Sequence, residues 1–175
     1  QALSHSPAIT SSYDIALAKE ILTKDGWVAG EDGVLVKKST TKTISKDKKT
    51  TTNTSSQTLS FTITTGDAPE LREVVKLIQA DLLAIGASVD IKLYESGKLN
   101  QDIIKNRNFD ALFFGQIINK ESDLYAYWHS SQRKDPGLNI AQYTNPDVDK
   151  LLEASLGTQD AEVRRQKYKS FESLF

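Results

Sequence analysis

LSFTITTGDAPELREVVKLIQADLLAIGASVDIKLYESGKLNQDIIKNRNFDALFFG, residues 59–115, is the stretch that decides the fold. Leu59, Phe61 and Ile63 alternate with polar residues, which predicts a strand over Leu59–Thr64. Gly66-Asp67-Ala68-Pro69-Glu70 then reads as a helix start. Asp67 or Ala68 stands near the cap, Pro69 in the first turn, and Glu70 where the helix dipole favours an acid. Leu71, Val75, Ile78, Leu82 and Ile85 form one apolar stripe at helical steps, and Gly86 ends it. Ser88–Tyr94 alternates again, with Val89, Ile91 and Leu93 on one face. Gly97–Asn106 predicts a second helix with Leu99, Ile103 and Ile104 inward. Ala111-Leu112-Phe113-Phe114 is apolar on both faces, so Asp110–Gly115 is expected as a central strand. Strand, helix, strand, helix, strand with crossovers of this length implies right-handed connections and parallel pairing. The expected class is α/β, with a mixed, partly parallel sheet flanked by helices and a βαβαβ core from about residue 59 to 115.

Outward from this core the signals are shorter. Residues 1–12 read as a polar leading loop. Asp14 caps a helix over about Ile15–Asp25, with Ile15, Ala18, Ile21 and Leu22 at helical spacing and Gly26 as its stop. Glu31-Asp32-Gly33 is a turn before a short strand at Val34-Leu35-Val36. Lys37–Thr58 is almost entirely Thr, Lys and Ser, and is expected to be a hairpin or disordered insertion. A solvated insertion outweighs a basic docking patch there, because Thr dilutes the Lys residues. On the carboxyl side, Asp135-Pro136-Gly137 is a turn. Asn145-Pro146 starts a helix with Val148, Leu151 and Leu152 inward. Thr158 is expected to cap a last helix with Val163, Lys167, Phe171 and Phe175 at helical steps.

Composition removes several classes of function. The 175 residues suit one lobe or domain, and the formal net charge of −1 argues against a nucleic-acid partner. No Cys is present, which removes disulfides, thiolate nucleophiles and Cys-ligated metals, and His5 and His129 lie far apart. No apolar run approaches the ~20 residues that span a bilayer. A first residue other than Met, no leader segment and a helix still running at Phe175 predict a processed or partial chain.

In parallel sheets ligands bind outside the carboxyl ends of the strands. Those ends are Thr65-Gly66-Asp67, Glu95-Ser96-Gly97 and Gly115–Lys120. Tyr125, Tyr127 and Trp128 follow; such rings either line a cleft or pack their own segment onto the domain. A Ser130-His129-Asp123 triad can be assembled on paper, but no nucleophile elbow or Gly-rich oxyanion loop accompanies it, so a loop histidine is the better reading. No P-loop or dinucleotide fingerprint occurs. Asp67 and Glu95 as a catalytic pair are outweighed by the frequency of such residues after strands.

The ordered set of motifs resembles a known family. Tyr13…Ala16-Leu17-Ala18…Ile21-Leu22…Gly26-Trp27, then Arg72…Ile78-Gln79…Leu82…Ile85-Gly86…Val89, then Phe109-Asp110-Ala111-Leu112…Gly115 are similar to the second lobe of family 5 extracellular solute-binding proteins, the oligopeptide/dipeptide-binding type. The most specific piece is Asn139…Tyr143-Thr144-Asn145-Pro146-Asp147-Val148-Asp149-Lys150-Leu151-Leu152, with Arg164 and Tyr168 after it. The resemblance covers nearly the whole chain except Lys37–Thr58. It implies a non-enzymatic, cofactor-free, extracytoplasmic protein of two lobes, of which residues 1–175 are one. The lobes close on a small solute, most often a peptide, and dock on an ABC permease. A monomer is expected, with no nucleic-acid partner and with membrane contact only through a lipid anchor outside this chain.

Peptide-binding relatives follow the strand Gly with Trp and, three residues later, an Asp for the peptide's α-ammonium. Here Gly115 is followed by Gln116, and Asn119 stands at the Asp position, so either the ligand is not a free-amino-terminal peptide or Asp123 or Glu121 takes the role after a local shift. Asn accepts a hydrogen bond but adds no charge–charge attraction. The expected ligand-lining residues are Gly115, Gln116, Ile117, Ile118 and Asn119, then Trp128 and Asn139. An interaction or adhesion module displaying the Lys/Thr segment is the alternative from another class.

Overall fold

A computed structural model describes residues 12–44, 50–115 and 124–174, and within the hairpin the side chains of 41–44, 50, 51 and 53 are not included. The chain divides into two compact units: residues 12–96 with 109–114, and residues 97–108 with 115–175. Each is built on its own logic.

The first unit holds two sheets. Helix α1 (Ile15–Lys24) starts where the Asp14 carboxylate accepts the Leu17 N–H. Its inner face is Ile15, Ala18 and Leu22, while Ile21 is exposed. Strands β1 (Val28–Ala29), β2 (Leu35–Ile44) and β3 (Thr50–Thr58) form an antiparallel sheet in that order. Strands β4 (Ser60–Gly66), β5 (Ser88–Tyr94) and β6 (Ala111–Phe113) form a parallel sheet in the order β5-β4-β6. Helix α2 (Pro69–Ala84) makes the crossover between β4 and β5.

The α/β expectation holds, with two differences of arrangement. Parallel and antiparallel pairings sit in separate sheets, joined by Leu35 N–H to Gly86 O, Leu59 N–H to Leu35 O and Ser88 N–H to Leu59 O, each 2.8 Å. The central strand is β4, whereas β6 is an edge among the described residues. An apolar run shows that both faces of a strand are covered, and that does not require a neighbour on both edges. Gly86 sits at the joint with φ +92°, and a Cβ there would lie 2.8 Å from Leu35 Cγ.

Ile63, Val75, Ala87 and Val89 make the core of this unit, with Leu59, Phe61, Ile78, Leu82, Ile91, Ala111 and Phe113 packed around it. The α2 stripe read from the sequence is the face that meets the sheet, and Val75 is fully buried. Burying such aliphatic side chains contributes about 1.5–3 kcal/mol each.

The second unit is helical. After a short turn of helix α3 (Ser96–Lys98), residues Leu99–Ile104 continue as a π-helical turn in which Leu99, Ile103 and Ile104 are buried. Helix α4 (Leu124–Trp128) leads to a 3₁₀ turn at Ser130–Gln132. Helix α5 (Pro146–Leu156) starts on Asn145, whose side chain accepts from the Asp147 and Val148 N–H groups. Helix α6 (Ala161–Glu172) is capped by Asp160, not Thr158. Thr158 Oγ1 instead accepts the Asp160 N–H, setting up the cap one step later. The buried face of α6 is Tyr168 and Phe171, with Val163 exposed, so the apolar stripe is rotated from the expected one; Phe175 lies outside the described residues. Leu124, Val148, Leu152, Tyr168 and Phe171 form this unit's core.

Candidate functional site

Because β4, β5 and β6 are parallel, their carboxyl ends share one edge of the sheet. The register pairs Gly66 with Tyr94 and Thr65 with Phe113, and the Asp67 N–H reaches Tyr94 O at 2.8 Å. Thr65 is fully buried there and its hydroxyl donates to Phe113 O at 2.8 Å, so the strand ends are tied without exposing polar groups to the core. The Asp67 carboxylate pairs with the Arg72 guanidinium one turn into α2. That pairing makes Asp67 a loop anchor in place of one half of a carboxylate pair with Glu95.

Phe114 and Gly115 leave β6 at this edge; both are exposed, and a Cβ on Gly115 would meet nothing within 4 Å. The loop residues Gln116, Ile117, Ile118 and Asn119, and the alternatives Glu121 and Asp123, lie outside the described residues. A separate concavity of about 520 Å³ is lined by Lys19, Trp27, Leu35, Leu83 and Gly86, at the amino-terminal end of β5, opposite the carboxyl edge.

The remaining candidates belong to the helical unit. Trp128 is half-buried against this unit's core, edge-on to Tyr143 at 6.0 Å between centroids and tilted against Phe171 at 6.4 Å. Asn139 is fully buried. Its amide donates to the carbonyls of Tyr143, His129 and, more loosely, Trp128, at 2.9, 3.1 and 3.4 Å, while its Oδ1 accepts the Tyr143 N–H at 3.0 Å. Asn139 therefore joins the end of α4 to the segment before α5 and sets where Trp128 stands.

His129 is buried beside it, stacked on Tyr125 at 4.3 Å. Its Nδ1 accepts the Ser131 N–H at 3.1 Å and lies 2.8 Å from the Ser131 hydroxyl. Nε2 lies 3.3 Å from Glu153 Oε1. Ser130 does not touch the imidazole: its N–H and hydroxyl both go to Asp149, at 2.9 and 2.5 Å. Burial opposes the charge on Asp149, but the Ser130 hydroxyl and N–H, with His129 and Arg133 nearby, outweigh it and hold the carboxyl below its usual range. The imidazole thus caps the 3₁₀ turn, and Ser130, the hydroxyl of the triad assembled on paper, is held by Asp149 instead. Among the described residues no group of His, Asp or Glu is placed to hold a metal ion, and no helix is long and apolar enough to cross a membrane.

Arg107 also serves this unit, and no pattern along the chain marks it. At φ 53°, it donates to the carbonyls of Ile104, Arg133 and Gly137, the last at 2.6 Å. It ties the π-helical turn to the 133–137 loop, in which the Asp135–Pro136 peptide is cis.

Comparison with known proteins agrees with this architecture. Residues 1–136 match the family described as bacterial extracellular solute-binding proteins, family 5 Middle. The chain is 31% identical to the oligopeptide-binding protein AppA of Bacillus subtilis over 166 residues, covering 93% of this chain and 27% of that protein. The structure of Bacillus subtilis AppA in complex with a nonapeptide superposes with a TM-score of 0.72 at 27% identity, over 95% of this chain and 31% of that one. NikZ from Campylobacter jejuni, in complex with Ni(L-His), shares the fold at a TM-score of 0.67 and 21% identity, over 91% of this chain and 29% of that one. The chain spans less than a third of these relatives' length. It belongs to family 5 of the bacterial extracellular solute-binding proteins, a binding family and not a family of enzymes.

Proposed function

From this membership we propose that the intact protein is the substrate-binding component of an ABC importer, that it works outside the cytoplasm, and that peptides are its ligands. The observation that carries the reading is the common carboxyl edge of β4, β5 and β6, with Gly115 leaving it exposed. Gln116, Ile117, Ile118 and Asn119 would line the ligand from the loop that follows. Trp128 would offer a rigid apolar surface, and Asn139 would act by holding Trp128 in place. A second lobe would supply the opposing wall and an ABC permease would receive the loaded form. With Asn119 where relatives carry Asp, the ligand's amino terminus is held by hydrogen bonds more than by charge.

The test is native mass spectrometry of the intact protein as purified, followed by calorimetric titration with synthetic tri- to nonapeptides and their N-acetylated forms. Co-purified peptides, and affinity reduced less than tenfold by acetylation, support the reading. A non-peptide ligand carried through purification, with no heat from any peptide, overturns it. Asn119→Asp should widen the preference for free amino termini.

A further inference from the structure

Strand β3 is, among the described residues, a long sheet edge without the proline, charge or bulge that normally keeps such edges from pairing. It has 9 residues, Thr-Thr-Thr-Asn-Thr-Ser-Ser-Gln-Thr, with no Pro and no charge. Its register with β2 runs from Val36↔Thr58 to Ile44↔Thr50 without a bulge. No other strand pairs with its outer side among the described residues. Edges that stay single are short, charged, bulged or proline-bearing. Fully extended, this one presents about 30 Å of backbone.

The hydrogen-bond phase shows which groups face out. Val34 O accepts from Gly30 in the turn beside β1, so the even-numbered residues of β2 face β1; Leu35 O accepts from Leu59, so the odd-numbered residues face β3. Alternation then leaves the N–H and C=O groups of Thr50, Thr52, Thr54, Ser56 and Thr58 on the outer side of β3.

We propose that the outer edge of β3 is a self-association surface, where it pairs antiparallel with β3 of a second copy of this chain about a two-fold axis near Thr54. In that register Thr54 faces its own copy, Thr52 faces Ser56 and Thr50 faces Thr58, all through outward backbone groups. Charge selects this edge over the other side of the ribbon. Strand β2 carries Lys37, Lys38 and Lys42, and Lys38 and Lys42 stand at the positions that face away from β3. Pairing β2 with its own copy would bring like charges to about 5 Å. Pairing β3 with β3 keeps the two β2 strands three strand spacings apart, about 14 Å, beyond the ~8 Å screening length of physiological salt. The same lysines then border the four strands of the paired β2/β3 ribbons on both sides and stop further addition there, so the assembly closes at two. It departs from the monomer expected from the sequence and does not depend on the ligand.

Sedimentation velocity of the intact protein from about 10 µM to about 1 mM, paired with amide exchange at both ends of the range, tests it. The expected result is a concentration-dependent step to twice the monomer mass. The Thr52, Thr54 and Ser56 amides should slow in the dimer, while Ser55 and Gln57, bonded to β2, are slow throughout. Thr54→Pro removes an outward donor and Thr54→Lys places like charges across the axis. Each should weaken association at least tenfold, and protection at Ser55 and Gln57 reports that the ribbon is intact. A single monomeric mass over the whole range overturns the proposal. So does a dimer that both variants leave unchanged, or one in which the outward amides stay fast.

Discussion

The sheet unit and the helical unit reach a buried centre by different means. In the sheet unit the cluster is aliphatic, Ile63, Val75, Ala87 and Val89, brought together because a period of two on the strands meets a period near four on α2, and the buried Thr64 and Thr65 lie within a strand whose backbone is already paired. In the helical unit an aliphatic and aromatic cluster is accompanied by buried Asn139, His129 and Ser155, with Asn139 and His129 bonded to backbone groups of the loops between short helices. Long elements satisfy their own backbone, so their side chains are free to be apolar. Helices of 5 and 3 residues at Leu124–Trp128 and Ser130–Gln132 leave most backbone groups without partners, and polar side chains have to supply them.

That contrast is open to attack. Ile63→Ala should be the most damaging change in the sheet unit, costing about 3 kcal/mol through lost burial and a cavity; urea titration measures it, and a loss below half that amount would mean the sheet closes around the gap. Asn139→Leu adds apolar volume where Asn139 is fully buried. It should still cost about 2–3 kcal/mol, because four backbone hydrogen bonds to the Asn139 amide are lost. If it proved neutral, the polar centre would be incidental. Gly86→Ala, at φ +92°, should cost about 1–2 kcal/mol in the same titration.

Asp149→Asn is a smaller effect with a pH signature. The folded carboxyl lies below its unfolded value, so its stabilisation is present above that value and is lost as pH falls through the folded one. The variant should be about 1 kcal/mol less stable near neutrality through the lost hydrogen bonds to Ser130, and the gap to the parent should close only as pH falls below the ordinary carboxylate range, through the folded carboxyl's lowered value. Equal stability at both pH values would remove Asp149 from the network. Ser56→Ala on β3, at an exposed position, should change stability by less than about 0.5 kcal/mol, while the same ribbon governs self-association.

The adjacent strands β3 and β4 show how far one-dimensional reading reaches. Both are rich in Thr, yet Ile63, Thr64, Thr65 and Gly66 of β4 are buried, whereas the described side chains of β3 are exposed. Phe61 and Ile63 mark the difference in advance, and hydrophobic period likewise placed α2 and the inner face of β5 at Val89 and Ile91, although Leu93 of the same alternation is exposed. Pairing partners were a different matter. Whether Ala111–Phe113 lies at the centre or the edge depends on which strands reach it, and no local pattern encodes that.

By itself, then, the order of periods along the chain determined β4, α2 and β5 and the strand that becomes β6, because amphipathic periodicity is local and additive; the helix expected over Gly97–Asn106 is instead a short helical and π-helical turn grouped with the other unit. Tertiary structure alone decided the roles of Asn139, His129 and Arg107. Each acts on backbone groups that the chain leaves unpaired between short elements, and those groups meet their partners only after the loops have folded together.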